Sequence, residues 1–145
     1  MEYLIGITLA LALVVLAGIT GLADERSFYP TVSMVVASYY VLSATMGSDH
    51  HAVLPESLAG GAFVLLAVLG FMTRLEYVVI ALVAHGIFDL VHPRIIANAG
   101  VPGWRPGFCL AFDVVLGGLV LLRLRRRRVL AATKPTGILL AQTHH

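Results

Sequence analysis

His85, Asp89 and His92 stand at spacings of four and seven in the run Ala84-His85-Gly86-Ile87-Phe88-Asp89-Leu90-Val91-His92. At about 100° per residue on an α-helix, these offsets hold the three side chains within a ~60° arc of one face. Cys109 and Asp113 repeat the four-residue spacing further along the chain. Imidazole and carboxylate groups so arranged can ligate one zinc or iron ion, with the remaining ligand coming from another helix. Asp113 is the best candidate for that ligand, so the expected metal set is His85, Asp89 and Asp113. His92 is expected as a fourth ligand or general base, and Glu56 as a secondary acid or base. His50 or His51 could also complete the shell. A metal that keeps an open position lowers the pKa of its bound water and makes a nucleophile of it.

The same residues admit plainer roles. A His–Asp pair four apart can hydrogen-bond within a helical bundle and lock its packing, and a relay of protons or substrate through Asp89 and Asp113 is a third reading. His92, Asp49, His50 and His51 also read as solvated loop residues. Cys109 suits small-residue packing better than nucleophilic attack. Tyr39 and Tyr40 are expected at bundle or lipid-interface positions, with Tyr39 within reach of the polar end. His144 and His145 close the chain as a candidate tag remnant and are left out of the site.

What must position these groups follows from composition. Of 145 residues, 59% are hydrophobic and 12% charged, whereas a soluble domain carries about 25% charged residues. A bilayer span takes about 20 apolar residues, with a range of roughly 17–25. Five runs qualify, about 3–23, 30–47, 55–72, 75–92 and 106–122, which predicts an all-α integral membrane bundle of about five transmembrane helices. They form a single domain over 1–128, followed by a cytoplasmic tail over 129–145. Pro93 disfavours helical geometry at the preceding residue and so ends the fourth helix near His92. The first run follows Met1-Glu2, which has no positive residue, and it exceeds the ~7–15 apolar residues of a signal peptide. It is therefore expected to remain as a helix. Gly60-Gly61 and Gly117-Gly118 are expected where helices approach closely.

Five of the ten basic residues lie between Arg123 and Arg128. By the positive-inside rule they place the C-terminus in the cytoplasm and, across five spans, the N-terminus outside. Arg26, Arg74 and Lys134 then also fall inside, leaving Arg94 and Arg105 outside. The clustering speaks for topology rather than nucleic-acid binding. Ionisable residues near mid-membrane cost about 2.5–3.5 kcal/mol each on insertion scales. His85, Asp89 and Asp113 therefore need compensation from one another, a cation or water.

With Asn98, Pro102 and Pro106 between them, the His-x3-Asp-x2-His helix and the Cys109-x3-Asp113 segment resemble a family of small bacterial multi-pass membrane proteins known only as a domain of unknown function. The likeness covers the last two spans, about a quarter of the chain. It implies that these positions form one site and supplies no activity. The histidine order also resembles membrane metal-dependent hydrolases in general, without any established signature of theirs.

The leading expectation is a metal-dependent, hydrolase-like enzyme of the bacterial inner (plasma) membrane. It would act on a lipid or small hydrophobic substrate near the outer face. One alternative is a non-enzymatic accessory subunit of a larger membrane complex. The other is a proton or small-solute carrier, which five spans without an inverted repeat disfavour unless the chain oligomerises. The expected partners are membrane lipids, a hydrophobic small molecule, and a homo-oligomer or larger membrane complex, with no nucleic acid.

Overall fold

The computed structural model describes residues 1–47 and 50–133. Asp49, Lys134, His144 and His145 lie outside the described residues. Five helices follow in order: α1 (Glu2–Thr20), α2 (Phe28–Met46), α3 (His50–Met72), α4 (Glu76–Ile95) and α5 (Arg105–Thr133), with a short 3-10 turn at Leu22–Asp24 after α1. Among the described residues there is no strand. Every backbone N–H and C=O in lipid must be satisfied locally, so a helical bundle is the form these apolar runs dictate. Helices α1, α3, α4 and α5 are long and apolar enough to cross a membrane. The chain is thus an all-helical, multi-pass membrane bundle.

Helix α2 matches α1 in length at 19 residues but is not among those four. Its polar residues explain the difference, and three of them, Ser33, Tyr40 and Ser43, are buried. Other boundaries differ from the hydropathy reading for one reason, that hydropathy measures lipid exposure and not where a backbone stops being helical. Helix α3 begins at His50 and carries Pro55 inside it. Helix α4 runs on to Ile95 through Pro93, and the Ile96 N–H caps it by donating to the His92 carbonyl at 2.9 Å. Helix α5 continues through the arginines to Thr133, since arginine is a good helix former. At about 1.5 Å per residue it outruns the ~30 Å hydrocarbon core.

The main apolar core joins α1, α2, α4 and α5 through Ala10, Ala17, Val36, Leu82, Phe112 and Leu116. A smaller cluster of Ala44, Ala52 and Ile96 closes the far end. The first glycine of each expected pair makes the close contact. A Cβ on Gly60 would meet the Ala37 carbonyl oxygen at 2.9 Å and one on Gly117 would meet Val83 at 3.0 Å, whereas Gly61 and Gly118 face open space. At the arginine-rich end, Asp24 accepts from Arg123 at 2.9 Å and also pairs with Arg127, while Glu76 pairs with Arg128. Arg26 donates to the carbonyls of Phe71 and Thr73 at 2.7 and 2.6 Å. It thereby satisfies free carbonyls where α3 ends.

Candidate metal centre

Helix α4 presents one buried face made by Val78, Leu82, His85, Asp89 and His92. The apolar members sit toward the arginine-rich end and the polar ones toward the opposite end. Asp113 enters from α5, where Gly107, Cys109, Phe112 and Leu116 share the buried side. Gly86 allows the two helices to meet, because a Cβ there would lie only 3.2 Å from the Asp113 Cβ and 3.3 Å from the Leu110 carbonyl oxygen.

At this crossing His85 Nδ1 lies 2.7 Å from Asp113 Oδ2 and 3.6 Å from Asp89 Oδ2. One ligand atom from each of His85, Asp89 and Asp113 falls within 4.8 Å of the others, and all three residues are buried. With Asp113 ionised, Nδ1 of His85 donates to it, and in the neutral ring Nε2 keeps a lone pair. His85 Nε2, Asp89 Oδ2 and Asp113 Oδ1 are buried without a hydrogen-bond partner among the described residues. A neutral imidazole nitrogen and carboxylate oxygens form a donor set suited to zinc or ferrous iron.

A second polar group adjoins the first. Glu56 is fully buried, and its Oε1 lies 2.8 Å from His92 Nε2 while accepting from Asn98 Nδ2 at 2.7 Å. Asn98 also reaches the Tyr40 carbonyl at 3.2 Å. Tyr40 links the two groups. Its hydroxyl donates to Asp89 Oδ1, and its ring stacks on His92 with centroids 3.9 Å apart. Phe63 meets His85 edge-on at 4.9 Å, and Phe88 meets His92 at 5.4 Å. Arg105 donates to the Tyr39 carbonyl at 3.1 Å and to Ser43, and its guanidinium lies 5.6 Å and 5.9 Å from the Tyr39 and Tyr40 ring centroids.

The fold thus brings His85, Asp89 and Asp113 into one group and places His92 and Glu56 together beside it, with His92 Nε2 turned to Glu56. His50 and His51 are exposed at the start of α3 and stand outside both groups. Cys109 is buried and borders an apolar cleft. Tyr39 is 36% exposed whereas Tyr40 is 3% exposed, so Tyr40 is the tyrosine that reaches the polar end. Tyr40 and Arg105 were missed as site residues in the sequence, and Asn98 was seen there only as part of the α4–α5 pattern. The available signal was the polar stripe Ser33, Tyr40 and Ser43, whose spacings of seven and three mark one side of α2.

Comparison of the chain with protein-family models, curated proteins and solved structures gave no match.

Proposed function

We propose that the protein is a membrane-embedded metalloenzyme whose His85, Asp89 and Asp113 hold one divalent cation, zinc or iron. The supporting observation is the convergence of three buried ligand residues, each retaining a polar atom without a hydrogen bond. Two carboxylates in a low-dielectric interior need a compensating charge. A divalent cation would balance both, with a neutral His85 as its nitrogen ligand. A purely structural polar network is the competing reading, favoured by the bonds of Tyr40 to Asp89 and of His92 to Glu56. A network built for stability would be expected to close on itself, whereas His85 Nε2, Asp89 Oδ2, Asp113 Oδ1 and the neighbouring Glu56 Oε2 are all without a hydrogen-bond partner among the described residues.

When bound, the cation would supply Lewis-acid activation of water or of a substrate carbonyl. His92, oriented by Glu56, is placed beside the centre as the group to carry a proton, and the surrounding aromatic rings exclude bulk water. The substrate is a lipid or small hydrophobic molecule arriving through the membrane, with hydrolysis as the reaction class. The positive-inside rule orients the chain with the arginine-rich end of α5 in the cytoplasm and the centre toward the outer face of a bacterial inner membrane. The likeness of the α4 and α5 motifs to the uncharacterised bacterial family is part of the same proposal.

Metal analysis tests this reading. Protein purified without metal and then offered zinc or ferrous iron should retain about one ion per chain, the occupancy of a three-ligand catalytic site. His85→Ala and Asp113→Ala should retain none. Wild-type protein that takes up no stoichiometric metal discards the proposal.

A further inference from the structure

Helices α1 and α5 pack together, and between this pair and α2 lies a cleft of about 330 Å³. Its walls include Leu9 and Leu13 from α1, Val32 and Val36 from α2, and Phe112 from α5. Tyr39 and Cys109 also line it. Cys109 leads toward the metal centre, since it shares the buried face of α5 with Asp113 four residues on, whereas Tyr39 stands at the exposed edge of the cleft. Leu9, Val35 and Tyr39 are each at least one-third exposed, so the cleft opens sideways along α1, a helix apolar enough to cross a membrane.

We propose that this cleft holds a single acyl chain of a membrane lipid, with the lipid's polar end between Tyr39 and Cys109, on the side of α5 that carries Asp113. The inference rests on the metalloenzyme reading and narrows its substrate class to acyl lipids. Size favours this occupant. An apolar cavity of ~150 Å³ takes up one benzene-sized molecule, so the cleft suits a chain of roughly a dozen carbons. Charge favours it as well. Arg105 lies 5.6 Å from the centroid of the Tyr39 ring that lines the cleft, a positive charge beside the end at which the lipid's carboxylate or phosphate is proposed to lie.

The test uses full-length protein in lipid nanodiscs and a palmitic acid carrying a mid-chain diazirine, with cross-linked residues mapped by mass spectrometry. Labels should concentrate on Leu13, Val32 and Val36. Val32→Trp and Leu9→Trp, one half-buried and one exposed, should each reduce labelling about tenfold, since expelling as few as about two methylenes has that effect. Labels spread over Leu58, Leu65 and Ile87, or unchanged in both variants, would overturn the proposal. So would oxidative dimers through Leu9→Cys, which would put a second copy in the cleft. Metal content measured on the same samples separates the two readings. Labelling confined to the cleft in protein that takes up no metal removes the enzyme reading and leaves the acyl site. Metal without cleft labelling removes the acyl site alone.

Discussion

His85 Nδ1 and Asp113 Oδ2 are separated by 28 residues of chain and by 2.7 Å in space. Their meeting depends on how closely α4 and α5 approach at Gly86. Gly86→Leu should force that crossing apart, at a cost of about 1–3 kcal/mol for overpacking, and should abolish metal retention. Gly118→Ala is the control. Nothing lies within 4 Å of a Cβ at that position, and replacing glycine in a helix should gain up to about 0.5–1 kcal/mol. Unfolding midpoints in mixed micelles, with metal content alongside, check both.

Tyr40→Phe keeps the stacked ring on His92 and removes the hydroxyl that Asp89 accepts from. Loss of a hydrogen bond to a charged group predicts a stability decrease of about 1.5–3 kcal/mol. Tyr39→Phe should change stability by less than about 0.5 kcal/mol, because Arg105 contacts its backbone carbonyl and ring and not its hydroxyl. Equal effects from the two variants would contradict the arrangement of α2.

A cation bound only by the folded chain should stabilise it. At a free zinc or iron concentration 100 times Kd the gain should be about 2.7 kcal/mol, read as a raised thermal midpoint. The same additions to Asp113→Asn should leave its midpoint unmoved. A shift of equal size in the variant would place the ion elsewhere.

Glu56→Leu leaves the buried His92 Nε2 without its partner, at about 1–3 kcal/mol for a buried orphan, while Asn98 Nδ2 keeps the Tyr40 carbonyl. Glu56→Gln restores an acceptor oxygen and should recover most of that loss. Both variants should retain the wild-type quantity of metal, since Glu56 stands outside the His85–Asp89–Asp113 group. Metal loss in Glu56→Gln would instead put this carboxylate in the coordination shell.

The arginine-rich end of α5 should face the cytoplasm. A fluorescent-protein fusion after the last residue should be bright, and an alkaline phosphatase fusion at the same place should be inactive. Replacing Arg125 and Arg126 with glutamine should weaken the bias, because orientation follows the count of basic residues near span ends. An active phosphatase fusion on the wild-type chain would reverse the assignment.

Legibility divided along physical lines. The helical class and the shared face of His85, Asp89 and His92 were readable because the α-helical period is local and nearly invariant. The ends of α3, α4 and α5 were not. Pro55 and Pro93 each forfeit few backbone bonds near a helix end, and the arginines after Leu122 leave lipid without leaving the helix. Histidines 50 and 51 looked like candidates on residue type, yet they start α3 on its exposed side.

By itself, the sequence determined that this chain must satisfy its backbone as lipid-embedded helices and that α4 must carry an imidazole–carboxylate face. Hydrocarbon surroundings and a 3.6-residue period leave no other outcome. Only the tertiary structure decided that Asp113 faces His85, that Tyr40 and not Tyr39 turns inward, and that His92 and Asn98 both meet Glu56. Those contacts depend on the rotation and axial offset of each helix against its neighbours. Small residues such as Gly60 and Gly86 set these by packing, and no periodicity within one helix encodes them.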